Sequence, residues 1–546
     1  MTRIVSAIAR ALSMHSDRAF GVVGSGNFHL VNALRAAGMD FVAARHEGGA
    51  ATMADAYARI GRRGGVLTVH QGPGLTNALT GIAEAAKSRT PLLVLVPEVS
   101  SPRSNFHLDL PALAKGIGAG FVRARGAADI PAPRELSAQG TVMVALPVDV
   151  LAADSGEANE RETPSVVVSE PGGEERFPLS DAEPLLERIA SARRPVFIAG
   201  HGAVMSGAGP ALAELAERCG ALLAVSARAK GLFVGNPWYL DVSGGFASPL
   251  AAELIRGADL VVAWGASLTM WTTRHGRIFD PDATVAQVAL HPGDLGSHTR
   301  VDCGVVGDAR KVAECIGAAL VQRGFTSKGY RSDALRERIA SAVRWRDVPY
   351  EDDSDGERLD PRTLTIALDD MLPEARTVAV DSGNFVGYPA MYLRVPDERA
   401  FCFTQAFQSI GLGLPTAIGA ALARPDRLTV AAVGDGGFLM SIAELETVTR
   451  LGLPMLIVVY DDAAYGAEVH HFAPGGHPLD TVQFPDRDLA AMARGFGCEA
   501  LTVRTRADLE PLLSWLASPR ESALLIDAKV TSKRGAWWLE EAFVGH

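Results

Sequence analysis

The stretch from Val430 to Gly466, VAAVGDGGFLMSIAELETVTRLGLPMLIVVYDDAAYG, restricts the possible folds of this chain more than any other. An apolar strand runs into Gly434-Asp435-Gly436, an amphipathic segment follows, and a second apolar strand, Pro454 to Tyr460, delivers Asp461 and Asp462. This is a βαβ unit with a carboxylate at the end of each strand. A crossover helix sets two parallel strands side by side or nearly so, and ligands of open parallel sheets sit at the carboxyl ends of strands. Asp435 and Asp462 can therefore reach one cation. Carboxylate oxygens suit Mg²⁺, whose near-octahedral shell is completed by phosphate and water. Gly434 and Gly436 leave the backbone bare enough for a phosphate to come close. The residues describe a metal-bridged diphosphate site.

A chain of 546 residues is too long for one core and predicts about three domains, at 1–165, 185–330 and 357–546. Hydrophobic residues at 48% and charged residues at 21% are those of an ordinary soluble globular protein. The 52 Lys and Arg stand against 63 Asp and Glu, a net charge of -11 with no basic stripe, so nucleic acid is not an expected partner. Five scattered cysteines form no Cys-x-x-Cys pair, which indicates neither disulfides nor zinc and suggests a reducing cytoplasm. No apolar run approaches the ~18 residues of a membrane span, and charges break the N-terminal segment too early for a signal peptide. No membrane partner is expected.

Along the chain, strands and helices alternate. In the first domain Phe20 to Val23 leads to Gly24-Ser25-Gly26-Asn27, and a strand at Phe41 to Arg45 ends in His46-Glu47. Ala50, Met53, Ala54 and Tyr57 then mark one apolar helix stripe. A strand at Gly65 to His70 runs into Gly72-Pro73-Gly74, a helix follows through Ala86, and another strand covers Leu92 to Val96. The pattern is doubly wound α/β, with Glu47 and the loop 70–77 at strand ends. Alternation resumes from Pro195 to Phe325. There Gly200-His201-Gly202 reads as a tight turn, because Met205 stands where a dinucleotide fingerprint needs glycine. Two linkers are expected, Ala153 to Asp181 and Ser327 to Asp360, the second carrying Glu351-Asp352-Asp353 as a solvated acidic loop. The third domain opens with a helix at Pro361 to Met371 and a strand at Thr377 to Val380. Ser382, Gly383 and Asn384 follow it, placed to cradle phosphate oxygens. The fold class expected is α/β, three doubly wound parallel-sheet domains. The apolar tail from Trp537 to Phe543 is expected to dock, over a site mouth or at a subunit contact.

Gly434-Asp435-Gly436, the 25 residues at 437 to 461, and Asp462 with Ala464, Tyr465 and Gly466 resemble the signature of thiamine diphosphate enzymes. Asp461-Asp462 departs from the usual Asn-Asn. The array Arg45-His46-Glu47-Gly48-Gly49-Ala50, Met53 to Arg59, and Gly72-Pro73-Gly74 with Asn77 is similar to the pyrimidine-binding domain of the same enzymes. The branch it suggests is that of acetolactate synthases and 2-oxo acid decarboxylases. The resemblance implies that Asp435, Asp462 and the Ala464 carbonyl hold Mg²⁺. It implies that Gly72, Asn77, Ser382, Gly383, Asn384, Gly434, Gly436, Gly437, Tyr465 and Gly466 contact the cofactor. It also implies that the Gln408 carbonyl accepts from the exocyclic amine and that Ile410 wedges between the two rings. Glu47 becomes the proton handle at the pyrimidine nitrogen, and Glu468 and His70 become candidate acid/base groups.

The expected activity is thiamine diphosphate-dependent decarboxylation of a 2-oxo acid with carboligation, as in acetolactate synthases. A decarboxylase of the benzoylformate or pyruvate kind, a C-C lyase of hydroxyacyl or hydroxyketone substrates, and a non-catalytic cofactor-binding homologue are the alternatives. The same resemblance implies a homodimer or homotetramer, with Glu47 of one subunit at the diphosphate site of another, and leaves FAD in the central domain open.

Overall fold

A computed structural model describes residues 3–152 and 177–542, and within them the chain forms three six-stranded sheets in which every pairing is parallel. The first holds β1 (Arg18–Gly21), β2 (Asp40–Ala43), β3 (Gly65–Thr68), β4 (Leu92–Glu98), β5 (Gly120–Arg123) and β6 (Thr141–Pro147), in the order β2-β1-β3-β4-β6-β5. The second holds β7 (Pro195–Ala199), β8 (Leu222–Val225), β9 (Tyr239–Val242), β10 (Leu260–Trp264), β11 (Thr284–Ala289) and β12 (Cys303–Val306), in the order β12-β11-β10-β7-β8-β9. The third holds β13 (Arg376–Val380), β14 (Phe401–Phe403), β15 (Leu428–Gly434), β16 (Leu456–Asp461), β17 (Glu499–Val503) and β18 (Leu524–Lys529), in the order β14-β13-β15-β16-β18-β17.

The first and third sheets thus share one winding pattern. Their central strands, such as Leu92–Val96 and Val430–Val433, are apolar and fully buried, as strands covered by helices on both faces must be. In both sheets the strand order reverses beside the first strand, between β1 and β3 and between β13 and β15. Crevices for ligands open at such switch points.

The helix Glu47–Gly61 differs from its expected single apolar stripe, because every residue from Gly49 to Ile60 is buried. One side lies on the first sheet, and the other meets the helix Gly413–Ala423 of the third domain, where a side chain on Gly419 would run into the Met53 carbonyl. Small residues at the contact, Gly419 on one helix and Ala56 on the other, let the two helices approach. Apolar periodicity in a sequence reports one buried face; the second came from another domain.

All three domains meet on a buried ionic cluster. Arg59 donates from Nε to Asp55 Oδ1 at 2.9 Å, from Nη2 to Glu84 Oε1 at 2.9 Å and Ser88 Oγ at 2.6 Å, and from Nη1 to the Phe403 carbonyl at 3.2 Å. Glu84 Oε2 accepts from Phe407 N at 2.7 Å, and Arg228 of the central domain donates to the Ser88 carbonyl at 3.1 Å. Desolvation would discharge an unpaired group at this depth, but Arg59 keeps its charge beside two carboxylates and is shifted upward.

Two expected loops are corrected. The segment 327–360 is folded. It carries a helix, Asp333–Ala342, capped by Ser332 Oγ accepting from Leu335 N, and a 3-10 turn, Trp345–Asp347, whose Trp345 Nε1 donates to the Phe246 carbonyl at 2.7 Å. The acidic run within it is not simply solvated, since Asp353 pairs with Arg362 and Arg534, Glu351 with Arg534, and Asp352 accepts from Thr363. The first expected linker lies, at 153–176, outside the described residues, and its end is corrected, since Leu179 to Asp181 open the helix Leu179–Ser191. At Gly200 and Gly202 an added Cβ would strike Gly265 and Ala266, so the approach of the loop after β10 gives both glycines a packing reason. The tail does dock: in the helix Trp537–Ala542, Trp538 is 1% exposed and meets Tyr388 and Phe246 edge-on, while the Arg274 guanidinium lies 4.8 Å from the Trp537 ring centroid. The five cysteines are free, and among the described residues no helix is long and apolar enough to cross a membrane.

Candidate active site

The switch-point crevice of the third sheet opens into a cavity of about 460 Å³. Ser382, Gly383 and Asn384 leave β13 into it, Gly434 to Gly437 leave β15, and Asp462, Ala464, Tyr465, Gly466 and Glu468 follow β16. Gln408 and Ile410 close one side. Fourteen residues singled out from the sequence therefore share one wall system. Glu47, His70, Gly72 and Asn77 do not line it.

Asp435 is 7% exposed, and neither it nor Asp462 forms an ion pair among the described residues. Burial, then the charges of Asp462 and Asp461, push the Asp435 carboxyl up to about 8; burial, then Asp461, pushes Asp462 up to about 7. Two carboxylates without an ion-pair partner, Asp435 buried and Asp462 partly buried, are a donor set for a hard cation. Among the described residues no group of three His, Cys, Asp or Glu side chains converges, so a cation here draws its remaining ligands from carbonyl oxygen, phosphate or water. Glycine at 466 is required because a side chain there would collide with Asp462 Oδ2, and at 436 because it would enter the Tyr465 ring. Three buried polar atoms of lining residues, Asn384 Oδ1, Gln405 Nε2 and Trp271 Nε1, have no partner among the described residues. Buried groups of this kind are almost always satisfied, so each calls for a water or a polar ligand in the cavity.

Behind this wall Asp381, fully buried, accepts from Ser382 N at 2.8 Å, Gly411 N at 3.0 Å and Leu412 N at 3.2 Å. Burial pushes its carboxyl up to about 6 against those backbone donors. It binds the phosphate-side loop to the segment bearing Gln408 and Ile410, where Gln408 takes φ of +62°, a left-handed conformation that is costly without glycine.

The remaining candidates cluster at the switch point of the first sheet. Asn77 Nδ2 donates to Glu47 Oε2 at 3.1 Å, and Glu47 Oε1 lies against Gly74. The turn that presents Glu47 is held from the third domain, since Glu444 Oε1 accepts from Arg45 N at 3.1 Å and His46 N at 3.0 Å. Gly49 is needed there because a side chain would meet that carboxylate. His70 Nδ1 lies 2.7 Å from the Gln71 carbonyl, which can only accept, so in the neutral ring Nε2 is left to take the Ser25 hydroxyl proton at 3.3 Å. Phe106 packs edge-on against His70.

Sequence reasoning missed Ser25, Gln405, Asp381 and the lining residues Trp271 and Leu539. Ser25 had a signal, as it follows β1 in a Gly-Ser-Gly loop at the same sheet end as His70. Trp271 and Leu539 come from the central domain and the C-terminal helix, and no local pattern brings them to this cavity.

Residues 2–114 match the model of the N-terminal TPP binding domain of thiamine pyrophosphate enzymes, 182–316 that of their central domain, and 381–528 that of their C-terminal TPP binding domain. The chain belongs to the thiamine pyrophosphate enzyme family. Relatives within this family differ in activity. A protein named "Probable 2-ketoarginine decarboxylase" from Pseudomonas aeruginosa is 30% identical over 93% of this chain and 90% of its own length. Sulfoacetaldehyde acetyltransferase from Alcaligenes xylosoxydans is 29% identical over 90% of this chain and 87% of its own. Acetolactate synthase isozyme 3 large subunit from Escherichia coli is 28% identical over 91% and 88%. The two TPP binding domains of this thiamine pyrophosphate enzyme carry the two residue clusters just described, one each.

Proposed function

We propose that the chain decarboxylates a 2-oxo acid with thiamine diphosphate and Mg²⁺ and joins the remaining fragment to a second carbonyl compound. The observation that carries the reading is the pair Asp435 and Asp462, uncompensated carboxylates at neighbouring strand ends of one cavity. Thiamine diphosphate supplies the electron sink that C-C cleavage beside a carbonyl requires. In this reading the carboxylates of Asp435 and Asp462 and the Ala464 carbonyl hold Mg²⁺. Ser382, Gly383, Asn384, Gly434, Gly436 and Gly437 surround the diphosphate, with Tyr465 and Gly466 closing the metal loop. The Gln408 carbonyl accepts a hydrogen bond, and Ile410 offers apolar bulk. Glu47, oriented by Asn77, holds or releases the proton at the pyrimidine ring, and Gly72 lets the backbone approach it. His70, accepting from Ser25, and Glu468 on the cavity wall are the acid/base groups for the reacting oxygen and carbon.

Glu47 does not line the cavity that contains Asp435, which supports a homodimer or larger homo-oligomer whose partner subunit completes each site. A second reading, release of free aldehyde without ligation, is favoured by Glu468, an acid on the cavity wall, and draws support from the decarboxylase relative.

The test is product analysis of purified protein with thiamine diphosphate, Mg²⁺ and a panel of 2-oxo acids. Turnover that falls at least about 100-fold in Glu47→Gln, with cofactor still bound, is the expected result. A 2-hydroxyketone product supports ligation, and aldehyde supports the second reading. Full turnover in Glu47→Gln would falsify its role.

A further inference from the structure

Asp461 and Asp462 are adjacent in sequence but differ in their surroundings. Asp462 lines the cavity without a basic partner, whereas Asp461 is 2% exposed and its Oδ2 accepts from Lys529 Nζ at 2.5 Å. Lys529 ends β18, is Asp461's direct register partner across the sheet, and is 1% exposed. Its ammonium also donates to Asp486 Oδ1 and the Arg487 carbonyl, each at 2.6 Å, which uses its three protons on three acceptors. Asp527 Oδ2 lies 3.1 Å away as a further negative charge.

The other oxygen of Asp461 bears on the metal loop directly. Oδ1 accepts from Ala463 N at 2.9 Å, and Ala463 has φ of +56°, a left-handed turn that an alanine keeps only when its surroundings enforce it. That turn sets the direction in which Asp462 and Ala464 leave the strand. On its far side the loop lies against 482–484: the Ala463 carbonyl accepts from Phe484 N at 2.8 Å, and Tyr465 N donates to the Val482 carbonyl at 2.9 Å. Asp486 and Arg487 continue that same segment. One ammonium therefore ties together both arms that frame the loop.

We propose that Lys529 is a positioning residue for the metal-ligand loop, acting through Asp461 on one arm and Asp486 on the other to hold the Ala463 turn. Asp at 461, where the family signature usually has Asn, would otherwise place a second uncompensated charge beside Asp462. Lys529 offsets part of that charge, which it shares with Asp486 and Asp527, and leaves Asp462 without an ion-pair partner. The inference rests on the metal site proposed above.

The experiment titrates Mg²⁺ into protein holding saturating thiamine diphosphate, read by tryptophan fluorescence, with a thermal melt of each sample. The chains compared are wild type, Lys529→Met, Asp461→Ala and the double variant. Each single variant is expected to weaken Mg²⁺ binding at least about tenfold, with lost turnover recovered as Mg²⁺ is raised. The double variant is expected to be no worse than about threefold beyond the weaker single, because the two share the Asp461–Lys529 contact. Dissociation constants within about twofold of wild type in the folded singles, or fully additive losses in the double, overturn the proposal. If Lys529→Met does not fold, Asp461→Ala, which leaves Lys529 with Asp486 and Asp527, decides alone. A wild type that binds no Mg²⁺ removes the metal site and the clamp together; a wild type that binds, beside unaffected variants, removes the clamp only.

Discussion

At the scale of single residues, the site depends on carboxylates whose neighbours decide their charge. Asp381 has no cation beside it and is held ionised only by backbone N–H groups, so its folded-state pKa of about 6 lies above the ordinary 3.8. A raised carboxyl stabilises the fold when protonated: the contribution is present below about 4 and is lost as pH rises through about 6, on the order of 3 kcal/mol for a shift of this size. The melting midpoint of wild type relative to Asp381→Asn should therefore fall between pH 4 and 7. A pH-independent difference between the two would show that Asp381 is not carrying that proton. Asp435, Asp462 and the Gly-Asp-Gly turn could be read from sequence because they lie within one βαβ unit. Asp381, Lys529 and Ser25 could not be read that way, since each acts through a partner supplied by a different strand or loop.

At the scale of elements, most strand and helix positions followed from apolar runs ending in glycine-rich turns, and shifts were of a residue or two. What periodicity could not show was a second buried face. The helix Glu47–Gly61 reads as amphipathic, yet its outer side meets the third domain, and its Arg59 is committed to Asp55 and Glu84. Glu84 in turn accepts from Phe407 N, one residue before the strained Gln408. Glu84→Gln retains an acceptor but removes the charge, leaving Arg59 under-compensated in a dry site. A loss on the order of 3 kcal/mol is expected. It would register as a lower melting midpoint together with faster proteolysis around 403–412. A melt unchanged within a degree or so would mean the cluster is better hydrated than its burial implies.

At the scale of the whole molecule, the first and third sheets wind alike, and each brings half of the candidate chemistry to its switch point. If the halves join between subunits, co-produced Glu47→Gln and Asp435→Asn chains, each inactive alone, should regain about one quarter of wild-type activity. Half of the dimers are then mixed, and each mixed dimer keeps one intact site. No recovery above the single variants would place both residues in the same chain's site. Three sheets were legible because each repeats the alternation of apolar strand and helix; how they dock was not, because docking rests on contacts such as Glu444 to the Arg45-His46 backbone, 398 or more positions apart. The Arg59 cluster bears on how such chains can diverge. Its charged members are Asp55, Arg59 and Glu84 of the first domain and the central domain's Arg228, while the third domain gives it only backbone groups, so exchanging the central domain between relatives would part Arg228 from the carboxylates beside it. A crossover between the first and central domains is therefore inherited intact only when position 228 stays matched to 55, 59 and 84.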